Sequence, residues 1–135
     1  MTAFLAAWLA WCGAAALVSV IAGALHEATH AAAARLLGGR VVDTGRDGLQ
    51  LYVDWQPSAE YTVTDVRLVQ LAPALVGWAV GLVWLARYGW PSLSPAGIVG
   101  VLGWAVYTIG GGLEDYSTAR AAASYEQRRE SGTKA

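Results

Sequence analysis

From Met1 to Leu25 the chain carries no charged side chain. At a rise of 1.5 Å per residue, about 20 apolar residues cross the hydrocarbon core of a bilayer, so this stretch is long enough to span one. A second uncharged stretch runs from Leu68 to Ala86 and a third from Tyr88 to Leu113. Charged residues make up 14% of the chain and hydrophobic residues 56%. Soluble domains usually carry about 25% charged residues, so polar surface is short for a water-soluble globule. The expected fold is an all-α membrane protein with three transmembrane helices. A cleaved signal peptide is the rival for the first stretch, and Ala22-Gly23-Ala24 would suit a peptidase. No Lys or Arg precedes the apolar run, however, and it exceeds the usual signal core of about 7–15 residues.

Other classes fall away on composition. High apolar content with a net charge of −1 excludes disorder. Cys12 is the only cysteine, which excludes a disulfide scaffold. Nine basic residues against ten acidic ones give no nucleic-acid footprint.

The basic residues orient the spans. Arg35, Arg40, Arg46 and Arg67 lie between the first and second, and Arg120, Arg128, Arg129 and Lys134 follow the third. Only Arg87 lies between the second and third. The positive-inside rule then expects a multi-pass protein of the cell membrane, N-terminus outside and C-terminus cytoplasmic. Trp8, Trp11, Tyr88 and Trp90 are expected at the outer interface, where amphipathic rings are favoured.

One domain is predicted over residues 1–120, with a polar tail over 121–135. The first helix is expected over about 3–37, stopped by Gly38-Gly39, since glycine accepts the left-handed conformation past a helix end. Val41-Val42 and Leu49-Gln50-Leu51-Tyr52-Val53, flanking a turn at Thr44 to Gly48, predict a cytoplasmic β-hairpin over about 40–54. A lone hairpin is marginal in water and needs support from the membrane face or another extended segment. The second helix is expected over about 64–88, capped by Thr64 and interrupted by Pro73. The third is expected over about 94–120, capped by Ser94 with Pro95 at its first position.

The chemistry lies in His26-Glu27-Ala28-Thr29-His30. Two histidines four apart share one helix face, so both imidazoles can reach one Zn²⁺. The glutamate beside the first can take a proton from metal-bound water, which zinc brings to a pKa of about 7. The chain has two histidines and five glutamates. Random placement gives this His-Glu-x-x-His pattern on the order of once in two thousand such chains, before its helical position is counted. The bland alternative is an interfacial histidine pair, with Glu27 reaching the headgroups.

Catalytic zinc usually takes three protein ligands. Cys12 lies fourteen residues before His26, about 21 Å along a helix, which leaves a carboxylate. Gly110-Gly111-Gly112-Leu113-Glu114-Asp115 is the best source, because the orientation puts it at the depth of His26 and His30. Glu114 and Asp115 sit about 100° apart around a helix, so one of them faces the metal; Asp115 is preferred and Glu114 is next. The three glycines permit close approach in lipid, and Ala24, Ala28 and Ala31 offer a matching small face. Asp43, Asp47, Asp54, Glu60 and Asp65 are mostly expected to be solvated; Asp54 could reach a metal at the membrane surface, but nothing singles it out.

With these residues the chain resembles the site-2 protease superfamily of intramembrane zinc metalloproteases, in particular its minimal prokaryotic zincin peptidases. The resemblance rests on His26-Glu27-x-x-His30, the extended segment after it, Gln70-Leu71-Ala72-Pro73 in the middle helix, and Gly111-Gly112-Leu113-Glu114-Asp115 at the end of the last. It covers most of residues 20–118. It implies a metalloprotease-like domain with His26, His30 and Asp115 as zinc ligands and Glu27 as catalytic base. It also implies cleavage of membrane-embedded or membrane-adjacent segments of protein substrates, with the strand segment pairing with an unwound substrate. Better-known members carry Asn-Pro…Asp-Gly on the third core helix, where this chain has Glu114-Asp115-Tyr116. The extra helices of larger members are missing, which leaves room for a homo-oligomer or an accessory membrane partner. The competing function is a non-catalytic membrane module that binds a metal or a partner.

Overall fold

The computed structural model describes residues 2–47, 50–56 and 62–109. The uncharged start folds as one helix, α1 (Thr2–Leu36). It stops at the glycine pair as expected. Gly38 has φ +87°, the Gly39 N–H donates to Ala34 O at 2.8 Å and the Gly38 N–H to Arg35 O at 3.1 Å. Those bonds occupy carbonyls that the last helical turn would otherwise leave unpaired.

The chain then forms a two-stranded antiparallel sheet, β1 (Arg40–Asp47) with β2 (Gln50–Gln56). The hairpin is longer than its predicted extent. Thr44, Gly45, Arg46 and Asp47, expected as turn, lie in β1 opposite Val53, Tyr52, Leu51 and Gln50. Gly45 tolerates this because the Tyr52 ring lies across it, where a Cβ would collide with the ring. An irregularity between Val41 and Asp43 leaves Asp43 facing Asp54. Tyr52 donates to Asp43 at 3.2 Å. That bond, then the Asp43 charge, holds the Tyr52 phenol above its ordinary value.

Helix α2 (Val63–Tyr88) begins two residues earlier than its predicted cap allows. Thr62, not Thr64, is the N-cap. Asp65 stands three residues after Thr62, so the Thr62 hydroxyl accepts the Asp65 N–H at 3.2 Å and the Asp65 carboxylate accepts the Thr62 N–H at 2.8 Å. This reciprocal pair satisfies two end donors, which a cap at Thr64 could not do with Asp65. Pro73 lies inside the helix. Helix α3 (Pro95–Ile109) starts as predicted, with the Gly97 N–H on the Ser94 hydroxyl at 3.2 Å. The remainder of the predicted third helix, 110–120, and the tail lie outside the described residues.

The helices pack through small residues. Gly103 of α3 meets Val18 of α1, while Tyr107 reaches His26 and Thr29, so α1 and α3 run parallel. Gly77 of α2 meets Thr108 and Gly81 meets Trp104, so α2 and α3 run antiparallel. The indole of Trp104 donates to Gly77 O at 2.8 Å and meets Trp78 edge-on. A Cβ at Gly77 would run into the Thr108 side chain. Gly77→Val should therefore destabilise the fold by about 1–3 kcal/mol through overpacking, read as a fall in thermal midpoint in detergent.

The distribution of side chains is inverted relative to a water-soluble domain. Trp8, Leu17, Val83 and Trp84 are more than half exposed. Among the described residues the buried polar side chains are His26, His30 and Thr108. Among the described residues two helices, α1 and α2, are long and apolar enough to cross a membrane; α3 as described is apolar but shorter, at 15 residues.

Candidate metal centre

The buried side chains of α1 are Ala22, His26, His30 and Ala34, one residue every four. This single stripe faces α2 and α3 and carries both imidazoles into the interior. The small face expected at Ala24, Ala28 and Ala31 is displaced: Ala28 is exposed and the buried alanines are Ala22 and Ala34. A residue two along from His26 sits about 200° around the helix, so Ala28 cannot share the histidine face.

His26 and His30 are 3% and 4% exposed. Each ring is held through Nδ1 by a backbone carbonyl from another helix. His26 Nδ1 lies 2.6 Å from Tyr107 O of α3, and His30 Nδ1 lies 2.8 Å from Val69 O of α2. The two Nε2 atoms then face each other at 3.2 Å, with the rings edge-to-face. Both rings also make contacts beyond these.

With the Nδ1–H of each neutral ring donated to its carbonyl, each Nε2 presents a lone pair on the side that faces the other ring. The spacing suits a metal. Two nitrogens bound to one zinc at about 2.0–2.1 Å with tetrahedral angles stand about 3.3–3.4 Å apart. The Nδ1 contacts suit it as well, since metal-ligating histidines donate their other N–H to a carbonyl or carboxylate that fixes ring and tautomer.

Glu27 is turned about 100° from His26 and meets the sheet instead. Its half-buried carboxylate accepts the Val53 N–H of β2 at 3.1 Å. The motif glutamate thus ties α1 to the strand that follows it. Thr29 completes the neighbourhood. Its hydroxyl donates to Leu25 O at 2.8 Å and lies 2.9 Å from the Tyr107 hydroxyl. The Tyr107 ring stands edge-on to His26 with centroids 6.3 Å apart.

His26 and His30 are brought together as the motif predicts, while the Glu27 carboxylate is held on the Val53 N–H of β2. Asp115 and Glu114 lie outside the described residues. Among the described residues no group of three or more His, Cys, Asp or Glu side chains forms a metal-sized cluster. Cys12 is exposed far along α1, and Asp54 is exposed on the hairpin. Sequence reasoning missed Val69, Tyr107 and Val53, which act through backbone atoms. Their side chains carry no sign of those contacts, although the Thr29-Tyr107 hydroxyl pair could have been suspected from a threonine inside the motif.

No family model, no curated protein and no solved structure matches this chain.

Proposed function

We propose that the chain is an intramembrane zinc metalloprotease that cuts membrane-embedded or membrane-adjacent segments of other proteins. The observation that carries this reading is the pair of buried Nε2 atoms 3.2 Å apart, each ring pinned from behind by a carbonyl. His26 and His30 are two ligands. Asp115, or failing it Glu114, is the third: α3 runs parallel to α1, and its last described turn brings Tyr107 against His26.

A zinc ion held there would supply a water acidic enough to ionise near neutral pH and would polarise the scissile carbonyl. Glu27 would act as the general base, its carboxylate taking up a proton and returning it to the departing amine. The Val53 N–H keeps its carboxylate beside the strand. Strand β2 is the element along which an extended substrate segment would pair. Burial of the histidines excludes bulk water and strengthens each polar contact.

The membrane reading goes with it. Three helices cross the bilayer of the cell membrane, N-terminus outside, with the hairpin and C-terminus in the cytoplasm. In support, the large apolar side chains of α1 and α2 point outward while the imidazoles point inward. Tyr88 and Trp90, 66% and 87% exposed, lie together at the connection between α2 and α3, as interface anchors would. A second copy or an accessory membrane protein remains a natural partner for so small a bundle.

One observation favours a second reading. Glu27 is engaged by a strand amide, which a purely structural glutamate in a metal- or partner-binding module would also do. Vesicles holding zinc-loaded protein and labelled single-span reporter segments decide between the two. Cleavage that chelation stops and zinc restores is the expected result. Zinc-loaded protein that cuts none of a panel of such reporters would leave the non-catalytic module.

A further inference from the structure

We infer that Pro73 is a positioning residue of the histidine pair: by lacking an N–H it leaves the Val69 carbonyl available to orient His30. In an α-helix the carbonyl of residue i accepts the N–H of residue i+4. For Val69 that residue is Pro73, which has no N–H. Both residues are fully buried, so the carbonyl cannot turn to water. A buried carbonyl without a donor is strongly disfavoured. The donor is His30, whose Nδ1 lies 2.8 Å away.

The consequence reaches the opposite edge of the ring. Donating Nδ1–H to Val69 leaves the Nε2 lone pair directed at His26 Nε2, 3.2 Å off. An N–H at position 73 would compete for the same carbonyl and draw it back along the helix axis. The ring would then lose the contact that selects its tautomer. A residue that ordinarily weakens a helix is thereby used to aim a side chain on a neighbouring one. The effect on metal affinity rests on the zinc reading above; the effect on the ring does not.

The test is ¹⁵N NMR of the metal-free, histidine-labelled full chain in detergent at alkaline pH, for wild type and Pro73→Ala. Wild-type His30 should carry its hydrogen on Nδ1. In Pro73→Ala the ring should divide between the two tautomers. Zinc affinity should fall about 10–100-fold, the usual loss when a ligand's outer partner is removed. Wild-type His30 protonated on Nε2 would overturn the inference without any variant, even if Pro73→Ala fails to fold. An unchanged tautomer in a folded Pro73→Ala protein would also overturn it, whether or not affinity falls. If wild type binds no zinc, the metal reading fails while the tautomer comparison still decides the role of Pro73.

Discussion

Glu27→Gln should leave one zinc per chain in place and lower cleavage of a membrane-spanning reporter by about 10²–10⁴-fold, the range a positioned general base contributes. The substitution is nearly isosteric. The amide retains an oxygen that can accept the Val53 N–H, now 3.1 Å from the carboxylate, so the tie between α1 and β2 survives. What is lost is the ability to take a proton from water. Glu27→Ala is the weaker experiment, because it removes the base and the tie together. Metal content and turnover must be read on the same sample. Zinc lost along with activity would move Glu27 into the ligand set. Zinc retained with full activity would place the base elsewhere and remove the reason for assigning this residue a catalytic role.

His30→Ala should abolish stoichiometric zinc and destabilise the metal-free protein as well. The second effect follows from packing, not from metal chemistry. His30 is 4% exposed and donates to a fully buried carbonyl, so truncation leaves Val69 O unpaired and opens a cavity. An orphaned buried acceptor costs about 1–3 kcal/mol before the cavity is counted. Added zinc separates the two contributions. At a free concentration of about 100 times its dissociation constant it stabilises wild type by about 2.7 kcal/mol and the variant not at all. Melting curves with and without zinc check this. Equal stabilisation of wild type and His30→Ala would put the bound metal elsewhere.

The elements that depend on local chemistry were legible in the sequence. The uncharged run, the Gly38-Gly39 stop and the Ser94-Pro95 start each announce a helix boundary through backbone rules that need no tertiary context. The spacing of His26 and His30 forced them onto one face, and they face one another in the interior. The cap of α2 went to Thr62 because a threonine is a strong cap only with its partner three residues on, and Asp65 serves Thr62, not Thr64. Strand β1 ran on into the expected turn because Tyr52 covers Gly45, a cross-strand contact that composition around a glycine cannot show. The alanine face was misplaced because the histidines, with their carbonyl partners on α2 and α3, decide which stripe of α1 turns inward. Those partners are backbone atoms and leave almost no trace. Pro73, four residues past Val69, is the exception: an expected kink also marks an acceptor without a helical donor.

X-ray absorption at the zinc edge of the loaded protein, compared with His26→Ala and His30→Ala, examines the proposed centre itself. The expected result is one tightly held zinc per wild-type chain, with two imidazole nitrogens and carboxylate or water oxygen at about 2.0–2.2 Å, and no such site in either variant. A wild-type chain that holds no stoichiometric metal, or a bound zinc whose spectrum lacks imidazole and survives both substitutions, would contradict it.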